Sequence, residues 1–351
     1  MHNQTVTISK ALAIILMVLA HTGFSTYGND YINMFHMPLF FFLSGYCFKE
    51  KYINNGFEFI KRKISGIYRP YVKYSLIFLL LHNVFFCLNI YNGEYGFHGN
   101  VSSLYNFSDF KYRAFNIIIR MGGHEQLLGG YWFMKSLFYG SLISYLIIKF
   151  SSRKPLIQIG GVYILGILFY YLQIRVPLIG IGAREILASI FFICGYTYNR
   201  INFSIESKYQ IIPIAALLVV CGTIYWKGSF LDMDVTRMLP YTVTAVMGTI
   251  MIMSISNYIE NSNLQIKKLL IYIGNNTFTV LTWHFLCFKL VNLLIIIIYE
   301  LDIKQMAEFP IIENYSKQGW WIIYLLIGFL PLIILHFINN HKMYNTIVRR
   351  V

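Results

Sequence analysis

The chain has 351 residues, 57% of them hydrophobic and 18% aromatic against 13% charged, with a mean hydropathy of +0.55. That balance excludes a soluble globular enzyme and is expected of a polytopic membrane protein. The formal net charge of +14 does not point to nucleic acid, because the basic residues gather in short loops between apolar stretches, where they set orientation.

Ten membrane-crossing helices are predicted, at about 6–24, 30–49, 70–91, 130–149, 155–174, 180–199, 209–226, 237–259, 274–299 and 320–338. The expected fold is an all-α integral-membrane bundle forming one domain over residues 1–351, with a short tail at 339–351 and a polar loop at 92–129. No cleavable signal peptide is expected, because the first apolar stretch lacks a small-residue cleavage site.

The first stretch carries Lys10 and His21, eleven residues apart. At about 100° per residue they share one helix face, roughly 16 Å apart along the axis. The second stretch carries His36. Ionisable groups inside a span usually face a bundle interior or a wet cavity and mark function. A snorkelling lysine above a histidine bonded to a neighbouring helix is the structural alternative.

The loop into the third stretch reads FEFIKRKISGIYRPYVKY. Its cations Lys61, Arg62, Lys63 and Arg69 suit phosphate groups. They suit equally a positive-inside signal or a contact with anionic lipid headgroups. In the third stretch His82 reads as a buried, hydrogen-bonded residue.

The fourth stretch opens with GGYWFMKSLF, where Trp132 fits an interfacial aromatic belt or a chamber wall and Lys135 fits a snorkelling position. In the sixth, Arg184 and Glu185 point about 100° apart, so each needs its own partner. Glu185 is a candidate to orient an imidazole and Arg184 to hold an anionic part of a substrate. An interhelical ion pair fixing the bundle is the alternative. The ninth, IGNNTFTVLTWHFLCF, predicts an irregular helix start at Gly274, Asn275 and Asn276. It also places His284 in the bundle, with Lys289 beyond it.

The majority of Lys and Arg fall on one side of this topology when both termini are cytoplasmic. With that orientation His21, His36, Lys135, Arg184, Glu185, His284 and Lys289 all lie in the outer half of the membrane, as a polar chamber opening outward would require. The five cysteines, Cys47, Cys87, Cys194, Cys221 and Cys287, lack metal or disulfide spacing and read as small apolar core residues. No zinc-like cluster is expected, because His21 and His36 lie on different helices without a nearby Cys or paired carboxylate.

These stretches resemble the integral-membrane acyltransferase 3 family, and within it the sugar O-acetylase branch. The resemblance rests on the basic residue, ten intervening residues and histidine of Lys10 to His21, followed by FHMPLFFFLSGY. It continues in the basic run before a proline-started third span, the Trp-Phe pair at 132–133 and the late Gly-Asn stretch before His284. One departure is clear: Ser65 and Gly66 stand where a further basic residue is common, with Arg69 as the nearest substitute.

The resemblance implies transfer of an acetyl group from cytoplasmic acetyl-coenzyme A to a sugar hydroxyl. The acceptor would be a surface polysaccharide or its lipid-linked precursor, at a bacterial cytoplasmic membrane. His21 is then the general base, since imidazole titrates near neutral pH. His36 stabilises the oxyanion or binds the acceptor. Lys10, Lys61, Arg62, Lys63 and Arg69 hold the nucleotide end of the cofactor, and Trp132, Lys135, Arg184, Glu185 and His284 line the chamber; no metal is implied. The rival expectation is a transporter or exporter of an anionic or glycan substrate, since intramembrane charges also mark transport paths. Neither internal repeats nor paired interrupted spans are evident to support it.

Overall fold

The computed structural model describes residues 4–96, 101–151, 154–201, 209–231 and 235–338. The expected tail at 339–351 lies outside the described residues. Among those described, all regular structure is helical, and each of the ten predicted stretches overlaps helix. Among the described residues, five helical stretches are long and apolar enough to cross a membrane: Gly56–Cys87, Gln126–Phe150, Val235–Asn261, Thr277–Ile298 and Glu313–Ile338. Gln4–Ala20, Pro155–Tyr171 and Ile211–Trp226 are apolar but shorter.

The first helix, α1 (Gln4–Ala20), leads to a break. The single span expected at 30–49 is instead two helices, α2 (Thr26–Asn33) and α3 (His36–Tyr46). The Ser25 side chain caps α2 by accepting from the Gly28 amide at 3.1 Å. Phe35, at φ −141° and ψ −18°, sits at the break. Pro38 falls in the first turn of α3, where its missing N–H leaves no intrahelical bond unmade. After the short α4 (Lys51–Asn54), the basic helix α5 (Gly56–Lys63) runs through a π-helical turn, Ile64–Tyr68, into α6 (Arg69–Cys87).

The loop expected at 92–129 contains a helix, α7 (Phe107–Arg120). Asn106 and Asp109 form a reciprocal cap, with bonds of 3.1 and 3.0 Å. Beyond α7 the chain folds back onto α6 through a buried pair. His82 Nδ1 lies 2.9 Å from Glu125 Oε2, its Nε2 lies 3.0 Å from the Ser103 carbonyl, and both side chains are fully buried. The Tyr105 ring stacks on His82 with centroids 3.3 Å apart. Removing one member of a buried pair strands the other and costs about 3–5 kcal/mol. Glu125→Ala is therefore expected to lower the thermal unfolding midpoint of the detergent-extracted protein markedly. Glu125→Gln, which keeps one bond to His82, should lower it less. Equal midpoints for Glu125→Ala and wild type would show that the pair does not hold this segment.

The remaining helices are α8 (Trp132–Phe150), α9 (Pro155–Tyr171), α10 (Ala183–Arg200), α11 (Ile211–Trp226), α12 (Met238–Asn261), α13 (Ile266–Asn275) and α14 (Thr277–Ile298), followed by α15 (Glu313–Tyr315) and α16 (Trp321–Gly328). The irregular helix start expected at Gly274, Asn275 and Asn276 is instead a break at Asn276 between α13, which ends with Gly274 and Asn275, and α14; the Asn276 amide side chain donates to the Tyr272 carbonyl at 2.8 Å. One contiguous apolar core runs from Val6 in α1 to Leu332. Helices α3 and α10 cross with their backbones in contact: a Cβ on Gly45 would strike the Phe192 carbonyl, and one on Gly195 would strike that of Phe42. Small residues at a helix crossing permit this approach. The core role expected of the cysteines holds for Cys194, which packs partly buried against the apolar core; Cys47 and Cys87 are exposed, Cys221 and Cys287 are partly exposed, and all five are free.

Candidate active site

Three imidazoles converge where α1 ends, α3 begins and α14 passes. His21 lies in the turn after α1, and its ring stacks against His284 with centroids 5.7 Å apart and planes at 26°. Phe285 closes the other contact, 4.9 Å from the His21 ring. His284 and His36 are the ionisable neighbours of His21.

Backbone carbonyls fix the tautomers of two of these rings. His36 Nδ1 lies 2.9 Å from the Ile32 carbonyl, across the α2–α3 break. His284 Nδ1 lies 3.0 and 3.2 Å from the carbonyls of Val280 and Leu281. A carbonyl only accepts, so each Nδ1 carries the proton and each neutral ring presents a lone pair at Nε2. For His284 that Nε2 is buried and has no protein partner among the described residues. A neutral His36 in this tautomer has no proton at Nε2 to give an oxyanion; its lone pair suits the proton of an acceptor hydroxyl.

A cavity of about 420 Å³ lies among α1, α3, α5, α8 and α14, and none of the three imidazoles lines it. Lys10, Ser44, Arg62 and Lys63 line it, as do Met17 and Leu281, each about one turn from His21 and His284 respectively. Lys63 donates to the Ser44 hydroxyl at 2.7 Å and sits 5.3 Å above the Phe59 ring. Arg62 pairs with Glu58 at 3.0 Å and covers the Tyr52 ring at 5.7 Å. Lys61 and Arg69 are exposed and lie outside the cavity wall. Gly66, on the wall, leaves open space: nothing lies within 4 Å of where its Cβ would be.

Trp132, Lys135, Arg184 and Glu185 meet around a second cavity of about 680 Å³, joined by Arg175 and His124. Lys135 donates to the Gly180 carbonyl at 2.8 Å. Arg184 donates to the Leu231 carbonyl at 2.9 Å and lies 5.2 Å over the Trp132 ring. Glu185 accepts from the Ser136 hydroxyl at 3.2 Å and from the Gly182 amide at 2.8 Å, so it caps its own helix and, among the described residues, bonds no imidazole.

The seven in-span ionisable groups therefore do not share one chamber. The first turn of α8 stands between two of the places they occupy, with Trp132 facing the second cavity and Phe133 the first. Lys289 occupies a third place. It is 3% exposed and donates to the carbonyls of Met306 and Glu308, at 2.8 and 2.5 Å. Burial raises the Glu308 carboxyl above its ordinary range, against the opposing pull of Lys289. Among the described residues no three His, Cys, Asp or Glu side chains cluster as metal ligands would.

Several site residues carry no sequence signal of their own. Ser44 sits inside an apolar run, and Arg175 reads as a loop residue. Tyr131, whose hydroxyl bonds Thr282 on α14 at 2.8 Å, is separated from it by 151 positions. A family model described as an acyltransferase domain matches residues 3–342. No curated protein and no solved structure matches the chain.

Proposed function

The chain belongs to the acyltransferase 3 family, and from that premise we propose that it is a membrane O-acetyltransferase. In this reading it moves an acetyl group from cytoplasmic acetyl-coenzyme A to a sugar hydroxyl of a surface polysaccharide or lipid-linked precursor. It acts in a bacterial cytoplasmic membrane as a single domain of ten spans with both termini inside. The observation that carries the reading is the first cavity, which has Lys10, Arg62 and Lys63 in its wall together with Met17 and Leu281, each about one helical turn from His21 or His284. A long thin thioester with an anionic head fits that distribution of charge.

The residues then divide the chemistry as follows. Lys10, Arg62 and Lys63 hold the phosphates as fixed charges and donors. His21 takes the proton of the acceptor hydroxyl. The oxygen attacks the thioester carbonyl, the carbon–sulfur bond breaks, and the proton leaves with the coenzyme A thiol. His36 receives a neighbouring, non-reacting hydroxyl of the acceptor sugar at its Nε2 lone pair, and His284, stacked on His21, fixes the plane of the base. Purified protein in sealed liposomes with labelled acetyl-coenzyme A tests the reading. Coenzyme A release in step with labelling of an extracted glycan is expected. Movement of intact glycan without thioester consumption would establish a transporter instead.

A further inference from the structure

The second cavity has no part in the steps just described, yet it is built around cations. Lys135 and Arg175 both face it, and among the described residues neither has a carboxylate within ion-pair distance. Glu185, the carboxylate on its wall, is 7% exposed and engages the Gly182 amide and the Ser136 hydroxyl. Arg184 lies over the Trp132 ring and Phe230 stacks against it, so the exposed aromatic surface bordering the cavity is that of Tyr170 and Tyr171. The start of α10, at Gly182 and Ala183, also borders the cavity, and a helix N-terminus favours negative charge.

We propose that this cavity binds an anionic sugar, one carrying a carboxylate or a phosphate, with the anion at Lys135 and Arg175 and the sugar face against the Tyr170 and Tyr171 rings. Exposed aromatic rings beside a forked donor suit a ring with a charged substituent, whereas a bare inorganic ion would leave Tyr170 and Tyr171 unused. The proposal rests on the acetyltransferase reading, in which this sugar is a unit of the acceptor. The cavity shares the first turn of α8 with the donor cavity, Trp132 on one side and Phe133 on the other. Binding the charged unit there would bring the acceptor up to the wall of the donor site.

The test uses the full chain in phosphatidylcholine nanodiscs, titrated calorimetrically with glucuronate, glucose 1-phosphate, glucose and inorganic phosphate. Glucuronate or glucose 1-phosphate is expected to bind at least about tenfold more tightly than glucose, as a charge-assisted contact would give. Arg175→Gln, a substitution at an exposed side chain, is expected to abolish that preference, and Lys135→Met to weaken it. Equal affinity for glucose and for the charged sugars would overturn the proposal, and so would a preference untouched by Arg175→Gln. Inorganic phosphate binding as tightly as glucose 1-phosphate would reduce the cavity to a simple anion site. Loss of sugar binding when phosphatidylglycerol replaces phosphatidylcholine would assign it to a lipid headgroup, and either result overturns the acceptor assignment. Acetyl-coenzyme A is titrated into the same samples. If it fails to bind, the enzyme reading falls; if it binds while the sugars show no discrimination, only the present proposal does.

Discussion

Cells carrying His21→Ala are expected to lose acetylated glycan by about 100- to 10,000-fold, the range that removal of a general base gives. The amount of protein in the membrane should stay near that of wild type. Among the described residues His21 makes no side-chain hydrogen bond that the fold would miss; its contacts there are ring contacts with His284 and Phe285. The backbone around it is held independently, by the His21 amide on the Met17 and Val18 carbonyls. His36→Ala should be nearly as severe, although it also removes the bond to Ile32 across the α2–α3 break. Its loss of activity must therefore be read against a thermal midpoint. Acetylation retained at most of its normal level in His21→Ala would rule His21 out as the base.

The second large effect is on the donor. Substituting Lys10, Arg62 and Lys63 together with Met, Gln and Met removes the three cations on the cavity wall. A hydrogen bond to a charged group is worth about 1.5–3 kcal/mol. The loss of even one such contact should raise the KM for acetyl-coenzyme A by roughly 10- to 100-fold. Lys61→Gln and Arg69→Gln, outside that wall, should change it far less. The same cations contribute to orientation, so cysteine labelling of the loops must show correct insertion. Unchanged KM in a correctly inserted triple variant would reduce the cluster to an orientation signal.

Much of the helical order is legible in the sequence, because runs of about 20 apolar residues have few alternatives. The exceptions are instructive. TYGNDYIN at 26–33 and the apolar run after it merge into one stretch when only hydropathy is averaged, and the break at Phe35 leaves no polar trace. Helix α7 hides for the opposite reason: FSDFKYRAFNIIIR is too polar to register as a span. The Asn106 and Asp109 pair three residues apart was nevertheless a readable helix start.

The site was legible where one helix face carries it, as with Lys10 and His21, and illegible where it depends on which way neighbours point. Trp132 and Phe133 are adjacent in the chain yet face different cavities, which divides a chamber that looked single. Glu125 shows a related limit. In GGHEQLLGG it reads as a loop acid, and its partner His82 is 43 positions away.

The glycine crossing of α3 and α10 has a mechanical consequence. With carbonyl groups of each helix set against the glycine of the other, no layer of side chains remains to shear, and sliding would have to drive backbone into backbone. The two helices should therefore turn over as one rigid lever, carrying His36 at the start of α3 and Arg184 and Glu185 at the start of α10. Any motion that admits an acceptor has to be taken up at the ends of that lever. The joints available there are the break at Phe35, between α2 and α3, and the turn before Ala183, where Gly180 sits at φ +64°. Stiffness at the crossing and give at those two joints would let His36 move in fixed relation to Arg184 and Glu185, so that the distance between them need not be rebuilt at each turnover.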